Sequence, residues 1–317
     1  MGEALVESQF VPSQTIMRLL EYKVSQEAWK IGNVMVGGQP GVRPTVLIGT
    51  IFYHGHDVLH DEDRGKFDPV KATELIRSQA SFAQRTGNPC MLDVAGATPE
   101  AIERHLEFAA NATDGPLTMD GTTAEVRLAG LEFVRRSRLS DRVVYNSIQP
   151  EIGDDELRAI RDAGVTAAIV LTYSMLDFTA QGRVTAVREL LPKLKAAGMT
   201  RLLVDTCVLD LATLGQALSA IFEVKNEFGL PAGAGVHNAI ATWSGLKSKM
   251  GSQAYEPCVG AAVAAAVAVG ADFLLYGPIE DAQFVFPAVA MIDTALSELA
   301  MEREEPVPKS HPRFRIG

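Results

Sequence analysis

From Thr45 onward the chain alternates short apolar runs with longer stretches in which apolar residues recur every three or four positions. The runs are TVLIGTIF, PCMLDVA, PLTMDG, RVVYNSI, AAIVLTY, RLLVDTCV, PAGAGV and DFLLYG. Most are rich in Val, Ile and Leu and lack polar alternation, the pattern of parallel strands covered on both faces. The stretches between them read as helices with recognisable ends. In FDPVKATELIRSQASFAQRTGN, Asp68 stands as N-cap, Pro69 as the first helical residue and Gly87 as the stop. TPEAIERHLEFAA repeats the device with Thr98 and Pro99, and its Ile102, His105, Leu106 and Ala109 share one face. Gly164 and Gly198 end two more helices, and LATLGQALSAIFEVKNEFG is the clearest helix of all. Counted through, there are eight strand–helix units. That count predicts an α/β fold, a closed (β/α)8 TIM barrel, with an open doubly wound sheet as the alternative.

The barrel is expected over 45–302. Residues 1–44 read as an N-terminal extension with a short helix and a hairpin, EAWKIGNVMVGG, turning at Gly32-Asn33 and able to plug one end. Residues 303–317, charged and proline-rich, read as a solvated or docking tail.

Composition narrows the function. Hydrophobic residues are 47% and charged residues 21% of 317, ordinary for a soluble protein with a sizeable core. With 29 Lys plus Arg against 39 Asp plus Glu, and no basic run, a nucleic-acid surface is excluded. Cys90, Cys207 and Cys258 form no C-x-x-C; they read as reduced, two of them inside strands, in a cytoplasmic protein. The opening MGEALVESQF lacks the features of a signal peptide. The longest apolar stretch, Cys258 to Ala271, has fourteen residues, short of the ~20 needed to span a bilayer, so no membrane insertion is expected.

Active sites of such barrels lie at the C-terminal ends of the strands. The polar residues there are His54 and His56, Asp93, Asp120, Asn146 with Gln149, Tyr173, Asp205, then His237 and Asn238. A His-x-His at the first strand end can hold a metal, but no histidine follows the fifth or sixth strand, and Glu280 and Asp281 stand beyond Gly277-Pro278. Three or four convergent ligands are the usual need, so the two rings are expected to hydrogen-bond within their loop, without a metal. The remaining ring of carboxylates and amides is rich in acceptors and suits a flat, donor-rich heterocycle such as a reduced pterin. A strand-end Asp can instead cap the following helix, and Asp120, before GTTAEV, is the one most open to that reading. GLPAGAGVHN is no dinucleotide fingerprint, because Asn238 stands where the third glycine belongs.

The stretches VGGQPGVRPTVLIGTIFYHGH, TGNPCMLDVAG, DGTTAEV, YNSI, VDTCVLD and AGVHNAIATW resemble the H-subunit family of tetrahydromethanopterin S-methyltransferase and its soluble bacterial relatives, from about Ile31 to about Met301. More distantly the chain is similar to methyltetrahydrofolate:corrinoid methyltransferases. The resemblance implies Asp93, Asp120, Asn146 with Ser147, Asp205 and Asn238 as pterin-binding residues, Asn238 and Asp205 being catalytic. It departs at Gly96, at Thr123 (where those relatives have Asn) and at His237 (where they have Ser), so Thr123 and His237 are read as substrate-binding in altered form.

The implied reaction moves a methyl group between a cobalt corrinoid and N5 of a reduced pterin, tetrahydrofolate or tetrahydromethanopterin. Asn238 would hydrogen-bond N5 while Asp205 and Asp93 grip the pterin edge. The corrinoid (cobalamin-type) cofactor is expected on a partner protein, since no D-x-H-x-x-G stretch occurs here, and relatives suggest a homodimer. The rivals are a dihydropteroate-synthase-like enzyme, which needs basic groups at the strand ends for its pyrophosphate leaving group, and a non-catalytic docking subunit.

Overall fold

The computed structural model describes residues 20–173 and 177–317. Eight parallel strands close on one another in chain order. They are β1 (Val46–Ile51), β2 (Cys90–Gly96), β3 (Leu117–Gly121), β4 (Val143–Ile148), β5 (Ala167–Leu171), β6 (Arg201–Asp205), β7 (Ala232–Ala234) and β8 (Phe273–Pro278). β8 pairs back onto β1, from Phe273 with Val46 to Pro278 with Thr50, so the sheet is a barrel and not an open, doubly wound one.

The helices begin and end where side-chain chemistry favours it. Asp68 accepts from the N–H groups of Val70 and Lys71 to start α1 (Pro69–Thr86), and Gly87, at φ 86°, ends it. Thr98 caps α2 (Pro99–Ala112), whose buried face includes Ile102, His105, Leu106 and Ala109. α3 (Ala124–Ser137), α4 (Asp154–Asp162), α5 (Ala180–Ala196) and α6 (Leu214–Phe228) follow β3 to β6, and β7 is followed by a short α7 (His237–Ala241) before α8 (Tyr255–Ala268). The last helix, α9 (Ala282–Glu302), belongs to a segment, Ile279–Glu302, that is the one helix among the described residues long and apolar enough to cross a membrane, at mean hydropathy 1.5. It packs instead as the eighth barrel helix. Its Asp293 is buried and accepts from the N–H and hydroxyl of Thr45 and from Asn88.

The N-terminal mouth is stoppered. A two-stranded hairpin, Ala28–Ile31 with Val34–Gly37, turns at Gly32-Asn33. Its Ile31, Val34 and Val36 pack among Val46, Ile48, Met91, Val144, Ile169, Leu203 and Phe273 inside the barrel. Lys225 and Asp272, both buried, tie this end together: Nζ lies 2.6 Å from Oδ2 and also donates to the Gly38 carbonyl. Residues 20–44 contain no helix, and the rest of the expected N-terminal helix lies outside the described residues. At the other terminus the tail lies on α9, with Arg313 2.7 Å from Glu298 and His311 fully buried. Among the described residues the hairpin fills this end, which leaves the C-terminal ends of the strands as the side open to a ligand.

Candidate functional site

Strand residues two apart face the same side, so each barrel strand sends alternate side chains inward. Above the apolar layer this alternation brings Thr50, Asp93, Thr118 and Asn146 together. Asp93 accepts from the Thr50 hydroxyl at 2.8 Å, from the Asn146 amide at 3.1 Å and from the Thr118 hydroxyl. Burial raises the Asp93 pKa, opposed by those three hydrogen bonds and by nearby His237. Thr50 and Thr118 are functional neighbours that the sequence reading misses. Thr118 stands two before Asp120, so the period-two rule places both on the inner face.

Asp120 pairs in register with Asn146 on the next strand. Its carboxyl accepts no hydrogen bond from the described residues, and it does not cap α3. That N-cap is Thr123, whose hydroxyl accepts from the Val126 N–H, which corrects the capping alternative for Asp120. Burial and the neighbouring Asp93 push Asp120 up to about 8, with Arg127 opposing. Arg127 itself is engaged elsewhere, donating to the Tyr145 hydroxyl, to Glu156 and to the Gly121 carbonyl. Ser147 sits at an irregularity of β4, between the pairs Asn146–Ile169 and Ile148–Val170. Tyr173 is tied to Glu151 at 3.3 Å.

Across the mouth, Asp205 accepts from the Cys207 N–H at 2.8 Å and from the Gly235 N–H, and burial lifts it to about 6. Cys207 lies just past β6 at φ 58°, so only Cys90 stands in a strand, one fewer than expected; burial pushes the Cys207 thiol up to about 12. Buried Arg183 holds this turn by donating to the carbonyls of Thr206, Cys207 and Phe178. Asn238 donates its amide N–H to the Val208 carbonyl at 2.9 Å. His237 donates Nδ1–H to the Leu275 carbonyl at 3.0 Å, and burial pulls its pKa down, so the ring is neutral and Nε2 keeps its lone pair. The ring lies over Gly277, where a Cβ would come within 2.7 Å of it.

The two histidines after β1 diverge. His54 is exposed and pairs with Glu62 in its own loop. His56 is buried; its Nδ1 accepts from the Phe52 N–H, and its Nε2–H donates to Glu280 beyond β8 at 2.7 Å. The expectation of bonding within the loop thus holds for His54 and for Nδ1 of His56, while Nε2 of His56 reaches beyond the loop to Glu280. Among the described residues, no group of three or more His, Cys, Asp or Glu is arranged to hold a metal ion. Lys247 and Lys249 are exposed on a π-helical turn, Leu246–Met250, between β7 and α8.

In this mouth the Thr50 and Thr118 hydroxyls and one N–H each of Asn146 and Asn238 are paired with protein acceptors. Acceptor capacity left for a ligand includes Asp120, one lone-pair position on Asp93, further lone pairs of Asp205, the amide oxygens of Asn146 and Asn238, and Nε2 of His237.

The fold and sequence have clear relatives. Similar solved structures include a dihydropteroate synthase from Yersinia pestis with a pterine-sulfa conjugate (TM-score 0.60, 15% identity, 86% of this chain and 100% of that one). Another is that of Xanthomonas albilineans (TM-score 0.57, 18% identity, 89% and 100%), and at these identities the likeness speaks for the barrel alone. By sequence, the H subunit of tetrahydromethanopterin S-methyltransferase from Methanothermobacter marburgensis is 37% identical, covering 94% of this chain and 100% of that protein. A Methanosarcina barkeri protein, named as the H subunit of a methyltransferase called mtx, is 34% identical, over 93% and 98%. The family model described as tetrahydromethanopterin S-methyltransferase MtrH subunit matches residues 24–306, so this chain belongs to the MtrH family of methyltransferase subunits.

Proposed function

We propose that this protein transfers a methyl group between a corrinoid carried on a partner protein and N5 of a reduced pterin, with tetrahydrofolate as the carrier. The observation that supports this most is the acceptor-rich mouth. Thr50, Thr118 and the Asn146 amide donate to Asp93, and the Asn238 amide donates to Val208, so the free valences face a ligand that must itself be rich in N–H groups. A reduced pterin offers an exocyclic amino group and ring N–H groups along one edge. Arg127 and Arg183, the buried cations near the mouth, are bound to protein carbonyls and Glu156, which disfavours a pyrophosphate-releasing synthase.

Asp205 and Asp93 hold the pterin edge, with Asn146 and Asp120 beside them. N5 is a poor leaving group, and its electron pair gains from a hydrogen bond only as the methyl departs. Asn238, with one amide N–H on the Val208 carbonyl, has a second amide N–H that can donate to the electron pair developing on N5 as the methyl departs; an interaction that strengthens in the transition state raises the chemical rate. The methyl acceptor or donor is bulky and comes from outside, which suits a site reached from an open barrel end. Within this reading the protein works in the cytoplasm as a homodimer beside its corrinoid partner. Curated relatives carry tetrahydromethanopterin in their names, and that carrier shares the pterin head.

Equilibrium titration with reduced pterins tests the reading. Methyltetrahydrofolate is expected to bind, with affinity falling at least ~10-fold in Asp205→Asn, about the 1.4 kcal/mol of one charge-assisted hydrogen bond. Binding of only the methanopterin form would reassign the carrier. Binding of neither would overturn the pterin reading.

A further inference from the structure

We propose that the turn after α7, through Lys247, Lys249 and the indole N–H of Trp243, binds the carboxylates of the carrier's glutamate tail. This rests on the pterin reading above and concerns the part of the carrier that lies outside the barrel.

In a folate the tail leaves the ring at C6, the carbon bonded to N5. With N5 at Asn238, in α7, the tail leaves on the β7 side of the mouth. The chain there runs from α7 directly into this turn. The Thr242 hydroxyl donates to the Asn238 carbonyl at 2.6 Å, and Trp243 is the next residue. The turn is well anchored. Leu246 is buried, Trp243 packs against the same apolar cluster, and the Leu246 N–H donates to the Trp243 carbonyl at 3.0 Å.

Two kinds of donor meet at Gly245. A Cβ on that residue would lie 3.3 Å from Cδ of Lys249 and 3.4 Å from Nε1 of Trp243. The glycine therefore leaves a notch with the lysine stem on one side and the indole N–H on the other. Among the described residues that N–H has no acceptor, and neither Lys247 nor Lys249 has a carboxylate partner. Arg127 and Arg183, by contrast, are fully engaged with the protein. The other cations on the loops beyond the strands, Arg64 and Lys66, stand after β1, and Arg64 lies beside Asp61. The chain carries a net charge of −10 and its mouth is lined by Asp93, Asp120 and Asp205, so its field disfavours an anionic tail over most of the rim and favours it at this turn. Glutamate carboxylates only accept hydrogen bonds, which matches ammonium groups and an indole N–H.

The test compares two carriers, tetrahydrofolate and tetrahydropteroate, which share the pterin head and aminobenzoyl group and differ in the glutamate. The wild type is expected to hold tetrahydrofolate ~5- to 20-fold more tightly, the range of two exposed ion pairs. Raising the ionic strength should shrink that ratio. In the double variant Lys247→Ala, Lys249→Ala the ratio should fall toward one, and Trp243→Phe, which keeps a ring but no N–H, should lose part of it. Lys66→Ala, on the loop after β1, should retain the full ratio. A wild type that binds both carriers equally overturns the assignment, and needs no variant to fold. So does a double variant that keeps the wild-type ratio, or a Lys66→Ala that loses it equally, because the preference would then come from the overall field. Inorganic pyrophosphate held by these lysines in a wild type indifferent to glutamate would give the turn to a different anion and also overturn it. Failure of the wild type to bind either carrier would fall on the pterin reading instead.

Discussion

His56 donates its Nε2–H to Oε1 of Glu280 across 2.7 Å, tying the loop that leaves β1 to the turn that leaves β8. The two strands pair directly, so this bond sits over the seam where the barrel closes on itself. Burial works against the Glu280 charge, but hydrogen bonds, His56 foremost, hold its pKa below the ordinary carboxylate value. His56→Ala should therefore destabilise the fold by about 1–3 kcal/mol, the cost of leaving a part-buried polar group without its partner. Denaturant unfolding measures it. A loss under a few tenths of a kcal/mol would mean that the seam does not depend on this bond.

The stopper end depends on a buried ion pair. Lys225→Met leaves Asp272 uncompensated and should cost about 3–5 kcal/mol, whereas the double variant Lys225→Met, Asp272→Leu should cost less than the single one. Urea unfolding of both decides it. A double variant less stable than the single would contradict the desolvation argument.

Gly277 is at φ 84° and its missing Cβ makes room for the His237 ring. Gly277→Ala strains the backbone by ~1–3 kcal/mol and displaces the ring from the mouth. Pterin affinity should drop together with stability, while an alanine at Gly153, where nothing lies within 4 Å, should leave affinity unchanged. Equal affinity in both variants would separate His237 from ligand binding.

Stability should fall between pH 6.5 and pH 8.5. Burial raises Asp205 to about 6 and Asp293 to about 7, and burial with Asp93 raises Asp120 to about 8. A carboxyl whose folded pKa is raised contributes stability that is complete below its unfolded pKa of ~3.9 and lost as pH rises through the folded value. On the acid side, burial lowers His105 and His311 to about 4, so their contribution is present above the unfolded pKa and lost as pH falls through the folded one. Thermal melts should show a lower Tm at pH 8.5 than at 6.5, and Asp293→Asn should cut that difference while lowering Tm overall. A Tm that rises from pH 6.5 to 8.5 would contradict the signs.

Much of this architecture is legible in the sequence because it is local. Asp68 with Pro69, Thr98 with Pro99, and the glycines after α1 and α6 act within one helical turn, so spacing alone reveals them. Alternation along each strand likewise brings Asp93 and Asn146 to one face, and the structure joins them. What the chain does not reveal are contacts made across the closed barrel. Glu280 stands beyond Gly277-Pro278 and looks remote from β1, yet closure brings it to His56, 224 positions away. The donors on Asp93 come from strands 43 and 25 positions distant, and Arg127 reaches Glu156 over 29. Pairing of that kind follows from strand register, which no single segment encodes. Thr123 is local in the opposite sense: its hydroxyl caps its own helix, a role that the ST signal within one turn makes legible.

The central claim is methyl transfer on a pterin held by this ring of acceptors. The most direct test mixes the purified protein with chemically reduced cob(I)alamin and methyltetrahydrofolate and follows the cob(I) absorbance, alongside Asn238→Ala. Loss of cob(I) with formation of methylcobalamin, slowed ~100-fold or more in the variant, is the expected result, since removing one transition-state hydrogen bond costs about that much. An unchanged rate in Asn238→Ala, or no transfer to cob(I)alamin from either pterin carrier by a protein that binds them, would contradict it.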